Sequence, residues 1–485
     1  MRARTLFLTL AVLCLLPGTA SAASSKFTIR GAGFGHGVGM SQYGAYGFAL
    51  NGSGYRDILG HYYTGTAIGS LDPNRRVRVL LQSTRGAASF TGATRAGRRR
   101  LSARKTYYVR RRGAAVQLLS ARRKRMGTYS ALRVTGRGGI VVLRGRAANG
   151  RVNGGYRGAI DFSPGAFAGV DAINALSLDT YLQGVVPDES PPSWPIEALK
   201  AQAVAARTYA VATMKPTAGF DLYPDTRSQV YGGVAAEEAS TNEAIAQTRG
   251  EVVTYDGVPV VTYFFSTSGG RTEDVENTPL GNEPRPWLKS VDDPYDDASP
   301  RHRWGPIRMT LTQADRRLGS LVKGRFRGIE VVQRGRSPRI VEADVIGSRG
   351  RTRVTGGQLR ARLGLFDTWA FFTSITSGEE PAPEPEDGPP TGGADPFGSA
   401  AWLRAHPVGR LAGRVLPVLK SGRAVVQRRD AGRWVAVGVA RVQRGGRYSY
   451  TVTVPGLYRI RYHDEHGPAV RVGVRCLCPP TQSAG

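Results

Sequence analysis

A run of small residues constrains the fold of this chain more than any other feature. From Pro195 to Met214 apolar positions recur at helical spacing, and Leu199, Ala203, Ala206 and Ala210 share one face. Ser193 offers a cap and Pro195 suits the first turn, so the pattern predicts a helix over 195–214. A face of alanines lets another backbone approach closely, which places the helix at the centre of its domain, surrounded by sheet. Lys200 and Arg207 stand seven residues apart, nearly two full turns, and so fall on almost the same side. That spacing fits two cations pointing into one cleft, and equally two solvated charges on an exposed face.

The chain has 485 residues, and at ~100 to 200 residues per domain this argues for several domains. Hydrophobic residues at 41% and charged residues at 21% are ordinary globular usage, which excludes both a small stapled scaffold and global disorder. Lys and Arg number 67 against 37 Asp and Glu, and the resulting net charge of +30 calls for an anionic partner or environment. At the N-terminus Arg2 and Arg4 precede the apolar run Leu6 to Leu16, and Ala20-Ser21-Ala22 supplies a cleavage site. Residues 1–22 are thus expected to be a signal peptide, and the protein to be exported to the cell envelope or the extracellular space. Leu13 is not the small residue that lipidation of Cys14 would need. No later stretch reaches the ~20 apolar residues of a membrane span, so no transmembrane segment is expected after cleavage. Cys476 and Cys478 then remain, too close together for an unstrained bridge, and hydrophobic cores must hold the fold without a disulfide framework.

Composition divides the rest. Pro73 to Ile160 contains 23 Arg or Lys and no Asp or Glu. Its runs Arg78–Leu81, Thr106–Val109 and Ile140–Leu143 are β-branched or aromatic between Gly-rich turns, so 73–160 is read as a basic β-rich segment with its charges on turns and strand edges. Those charges either coat and protect sheet edges or dock on an anionic polymer. Residues 377–396 are Pro-, Gly- and acid-rich and read as a linker. Beyond it, 397–478 has short runs such as Ala424–Val426, Trp434–Val437 and Tyr448–Val452, which fit a small immunoglobulin-like β-sandwich.

The segment that looks chemical is Gly184 to Pro195, where Glu189 sits on a Pro-stiffened loop near Trp194. An apolar neighbour raises a carboxyl's pKa and makes it a proton donor near neutrality, as glycan cleavage requires. The plainer reading is an acid favouring a helix N-terminus. Asp188 is adjacent, but neighbouring side chains of an extended segment point apart and do not form a carboxylate pair. Gly31 to Gly44 carries Gly at every other position over its first nine residues, so backbone must come close to something there. It matches neither a dinucleotide fingerprint nor a phosphate loop, and no cofactor is expected. His36 within it is either a ligand-positioning or proton-shuttling residue or a histidine hydrogen-bonded inside a tight turn. Asp225–Gly233 and Tyr263–Thr272 mix hydroxyls, amides and aromatics as sugar-binding surfaces do, and as ordinary turns do. The chain has no Gly-x-Ser-x-Gly elbow and Ser268 has no evident partner, which removes a serine-hydrolase reading.

Together these segments resemble the SpoIID/LytB family of cell-wall proteins. The resemblance rests on Tyr181 through Tyr209 and on Gly35-His36-Gly37-Val38-Gly39-Met40-Ser41-Gln42-Tyr43-Gly44-Ala45, spans roughly Thr28 to Ile375, and takes in Ser266–Gly270 and Val354–Arg360. It implies that 23–376 is a SpoIID/LytB-like catalytic region with a basic β-rich insertion and leaves the C-terminal module outside; with the all-β sandwich read from its own strand runs, the expected architecture is α+β. It also implies peptidoglycan as partner: sporulation members are lytic transglycosylases that cut glycan strands, and LytB-type members enhance a cell-wall amidase. Glu189 takes the place of the family's catalytic glutamate, with Ser190 where the family has Met. Lys200 and Arg207 match cationic positions of the cleft, and Tyr231, Ser268, His36 and Gln42 lie in motifs assigned to it, which makes these six the expected substrate-binding residues. Tyr223 to Tyr231 lacks the Cys and His that hold zinc in some relatives, so no metal is expected. The Gly-His-Gly motif follows the catalytic segment in the sporulation members and precedes it here, an order compatible with one fold if the ends of the region meet. Glycan strands, anionic wall polymers and a cell-wall amidase are the expected partners; specific nucleic-acid binding is not, since it leaves the export signal and the cleft motifs unexplained.

Overall fold

The computed structural model describes residues 24–72, 74–165, 169–214, 219–281, 283–380, 408–419 and 422–473. The expected signal peptide, most of the expected linker, and Cys476 and Cys478 lie outside the described residues. The chain is α+β and rich in strand, 44% against 19% helix. Eight α-helices are described: α1 (Gln42–Leu50), α2 (Tyr55–Tyr62), α3 (Leu178–Gln183), α4 (Val186–Glu189), α5 (Ile196–Thr213), α6 (Ala239–Gln247), α7 (Leu311–Leu318) and α8 (Gly356–Leu363). None is long and apolar enough to cross a membrane.

The basic segment, whose last strand runs on to Pro164, and the strand after it build one large sheet. Its strands run in the order 125–129, 115–119, 107–112, 88–91, 132–144, 155–164, 170–177 and 76–84, all antiparallel. Alternation along each strand sorts the residues: Val77, Val79 and Leu81 are buried while Arg76 and Arg78 face outward. Phe90 stacks between Tyr107 and Phe162 at 5.7 and 5.3 Å, so the sheet has an aromatic core of its own.

The alanine helix is central, as its small face predicts, but sheet does not surround it. Ala203, Ala206 and Ala210 join the core of the large sheet, whereas Ala201, Val204 and Ala205 join a second core with Met40, Ala45 and Tyr62. α5 packs on α1, α2 and α6, with strand 251–255 at one flank. Small residues on several faces serve this double packing, because helices as well as strands come close. Ser193 does not cap it; Pro195 occupies the cap position and its carbonyl accepts from the Leu199 N–H.

The ends of the region meet. Strand 24–32 lies between 303–309 and 370–380, pairing antiparallel with both. Phe27 packs on Phe326 and Phe372 at 5.2 and 6.0 Å beneath the three-stranded sheet 326–334, 340–347 and 350–355 and helices α7 and α8. Strand 370–380 runs through Glu380, four residues into the stretch read as linker, and pairs with 409–416, which pairs with 447–452. A second sheet orders 433–441, 423–430, 456–462 and 465–466, with 470–472 beside 456–462. Ile375, Leu411 and Val415 of the first sheet share one core with Val426, Tyr458 and Ile460 of the second. The C-terminal strands therefore continue the sheet that holds the N-terminal strand.

Candidate active site around Glu189

The Gly-rich motif follows directly from strand 24–32. Gly33, Gly35, Gly37 and Gly39 all have positive φ, which explains the alternation, since side-chain-bearing residues avoid that region. What the backbone approaches is the protein itself. A Cβ at Gly37 would stand 2.4 Å from Arg339 Nε, and one at Gly39 2.1 Å from the Tyr263 carbonyl oxygen. Arg339 is buried, grips Asp367 through Nε and Nη2 at 2.9 Å each, and donates to the Ser268 carbonyl at 2.8 Å. Met40–Ser41 then pair in parallel with Phe264–Phe265, and Ser41 Oγ caps α1 by accepting from the Gly44 N–H at 3.1 Å. This sequence of turns delivers Gln42, the first residue of α1, to the acidic segment 147 positions later.

Glu189 ends the single turn of α4 rather than lying on an extended loop. Burial pushes its carboxyl up to about 7; hydrogen bonding from the Gln42 side chain and the Val230 backbone holds it down, and nearby Asp188 adds a smaller upward push. Asp188 diverges from it, because successive helical side chains are about 100° apart. It meets Arg151 of the basic segment at 3.4 Å. Tyr181 and Tyr209 stand close enough for the Glu189 charge to add to the effect of burial in raising their hydroxyl pKa values. Ser190 is buried and donates to Gln202 Oε1 at 3.4 Å; Gln42 Nε2 donates to the same oxygen at 3.5 Å. Trp194 packs on Tyr43 and Tyr46 of α1 at 5.1 and 5.0 Å, and all three rings are partly exposed.

The other expected residues fall elsewhere. His36 uses both ring nitrogens internally: Nδ1 accepts from the Val38 N–H at 3.1 Å, which leaves Nε2–H to donate to the Phe264 carbonyl at 3.0 Å. Burial holds its pKa down at about 4, so the ring is neutral, and of the two sequence readings this geometry is that of the turn histidine. It reaches toward the site through Tyr263 and Phe264, whose rings lie 6.0 and 6.1 Å from that of Tyr209. Tyr231 is fully buried, with Oη donating to Asn174 Oδ1 at 2.8 Å and its ring on Tyr181. Ser268 is also fully buried and donates to Asp296 Oδ2 at 3.0 Å.

Lys200 and Arg207 do share a side of α5, as their spacing requires, but not the side of Glu189. Lys200 Nζ pairs with Glu197 at 2.6 Å, and Glu197 accepts from the first N–H of α2 at 2.9 Å. Arg207 has no exposed surface; it pairs with Asp179 at 2.7 Å and donates to the carbonyls of Glu251 and Ile245 at 3.1 and 3.3 Å. Gln202, two positions past Lys200 and hence about 200° around the helix, is the residue that faces Gln42 and Ser190. Sequence reading missed Gln202 and Tyr209; the available signal was an amide within an alanine stripe. Among the described residues no group of three or more His, Cys, Asp or Glu stands ready to hold a metal ion. A cavity of about 570 Å³ between Phe371–Thr373 and Pro417, Leu419 and His463–Glu465 contains none of the expected site residues.

The family model for SpoIID, stage II sporulation protein, matches residues 167–255. Over 108 residues the chain is 44% identical to an uncharacterized protein of Brachyspira hyodysenteriae, covering 22% of this chain and 29% of that one. It is 41% identical over 138 residues to the amidase enhancer of Bacillus subtilis, covering 28% and 17% of the two chains. It is 30% identical over 211 residues to stage II sporulation protein D of the same organism, covering 40% and 60%. The matches thus span less than two thirds of each of these relatives. No solved structure matches the chain. The matched segment holds α4 with Glu189, the alanine helix and Tyr231 in one stretch, and over that stretch the chain is similar to the SpoIID family.

Proposed function

We propose that the chain is an exported peptidoglycan lytic transglycosylase that cuts glycan strands and leaves 1,6-anhydro-N-acetylmuramic acid ends, with Glu189 as both acid and base. The observation that carries this reading is the buried Glu189 carboxyl with a pKa of about 7. Such a group is partly protonated and partly ionised near neutrality, as a single residue must be when it gives a proton and takes one back. Glu189 protonates the glycosidic oxygen as that oxygen leaves C1. The 6-hydroxyl of the same N-acetylmuramic acid bonds to C1, and its proton returns to the Glu189 carboxylate. The cycle needs no second carboxylate, in keeping with Asp188 turned toward Arg151. Gln42 and the Val230 N–H steady the carboxylate between the two transfers. Trp194, Tyr43 and Tyr46 supply an aromatic wall for a sugar ring, while Lys200 and Arg207 brace α5 from behind.

A second reading has one observation of its own, the relative named amidase enhancer. In it the chain binds the wall and stimulates an amidase without cutting, and Glu189 is dispensable. Purified peptidoglycan, intact and stripped of stem peptides, separates the two when treated with the wild type and with Glu189→Gln and examined by mass spectrometry. Anhydromuramic ends from the wild type alone support cleavage. No fragments from either form, with both still pelleting with the wall, transfers the assignment to the enhancer.

A further inference from the structure

We infer that one end of the large sheet is a docking surface for a phosphodiester polymer, contacted by Arg104, Lys105, Arg122, Arg123, Lys124 and Arg125. Strand pairing builds the surface. Strand 107–112 runs antiparallel to 115–119 with Tyr108 opposite Leu119, so the turn entering the first strand and the turn leaving the second lie at the same end. The Arg123 guanidinium sits 3.4 Å from the centre of the Tyr108 ring and ties the two turns together.

All six cations are exposed. Four other arginines of this segment have carboxylate partners: Arg78 with Asp221, Arg133 with Asp161, Arg151 with Asp188 and Arg157 with Glu237. The six have no ion-pair partner among the described residues, and 73–160 contains no carboxylate to supply one. Like charges crowded this way repel one another until an outside anion neutralises them. The crowding continues next door, where Arg95 and Arg100 are directly opposite on paired strands, an arrangement that weakens a sheet. Protection of a sheet edge does not account for it. The edge strand is 125–129, and of the six only Arg125 belongs to it; the others are on turns, where there is no ladder to shield.

Arginine predominates, and its planar fork suits phosphate oxygens. A single-stranded nucleic acid would also want exposed rings on which to stack its bases. Tyr108 is covered by Arg123, and Val152 is the single large apolar side chain of 73–160 that is exposed among the described residues. The partner is therefore a backbone of phosphodiesters without bases, such as an exported protein meets among wall polymers. This surface is separate from Glu189, and its test does not depend on cleavage.

The probe is poly(glycerol phosphate), titrated against the full chain at several salt concentrations. Six contacts to a flexible single chain give a slope of log K against log salt of about −4. In R104Q/K105Q/R122Q/K124Q the slope shrinks by about 3 and binding weakens. R85Q/R112Q/R137Q/R144Q removes equal charge from other exposed positions of the sheet and keeps the wild-type slope. The inference is overturned by absence of binding, by equal loss in both variants, or by equal affinity of the wild type for polyglutamate or duplex DNA at the same salt.

Discussion

Replacing Arg207 with Met removes a fully buried guanidinium while keeping much of its length. The change takes the partner from Asp179 Oδ1 at 2.7 Å and the donors from the Glu251 and Ile245 carbonyls. Asp179 Oδ2 has no hydrogen-bond partner to begin with, so the carboxylate is left poorly compensated. Removing one partner of a buried ion pair costs about 3 to 5 kcal/mol, and the 17% side-chain exposure of Asp179 puts this case near the lower end. Because two-state unfolding is the rule only for domains much smaller than this 485-residue chain, the readout is amide hydrogen exchange in α5 and strand 251–255. A loss of about 3 kcal/mol corresponds to exchange about 100-fold faster in those segments. Arg207→Met combined with Asp179→Asn should recover part of the loss, since removing both charges costs less than stranding one. Glycan cleavage at low temperature should keep its KM. Exchange unchanged within threefold, together with a tenfold rise in KM, would refute the reasoning and put Arg207 in contact with substrate.

Glu189→Gln should stabilise the protein in a pH-dependent way. The folded carboxyl holds its proton up to about 7 against an ordinary value of 4.5, so wild-type stability falls as pH rises from 4.5 to 7 and the deficit is complete above 7. At 1.36 kcal/mol per unit that deficit is about 3 kcal/mol, so Glu189→Gln should be the more stable form at pH 8 with the advantage gone at pH 4; equal stability at both would contradict the burial argument. Gln42→Met removes a hydrogen bond that lowers the Glu189 pKa, so the alkaline limb of the pH–rate profile should move upward from 7. His36, with a folded pKa of about 4 against 6.5, should show no ring titration by NMR between pH 5 and 8, and the stability it supplies should be intact above 6.5 and drain away toward pH 4. Tyr231→Phe deletes the bond to Asn174 and should cost about 1 to 2 kcal/mol in exchange protection of strand 170–177 without altering KM.

Much of the local structure was legible because it depends on near neighbours. The helix near 195–214 follows from spacing, the strands at 76–84, 107–112, 132–144, 423–430 and 433–441 from β-branched runs, and the turn at 33–39 from glycines that alone tolerate its handedness. Glu189 stood out because a carboxylate was held between Val186 and Pro191–Pro192 beside a tryptophan. The sequence could not tell Gly-His-Gly backbone approaching a ligand from the same backbone approaching Arg339 and Tyr263, since both require glycine. Nor did Tyr231 and Ser268, set in sugar-like motifs, reveal that their hydroxyls turn inward to Asn174 and Asp296.

By itself the sequence determined that Lys200 and Arg207 lie on one side of a helix and Gln202 on the other, because the angle between helical side chains depends only on their separation. Which side meets Glu189 was decided by the tertiary structure, where pairing of strand 24–32 with 370–380 carries α1 and Gln42 to the Gln202 face. The same holds for the acid's chemistry. A carboxylate's identity is local, but its pKa is set by desolvation and by donors such as Gln42 and Val230 that are far away along the chain.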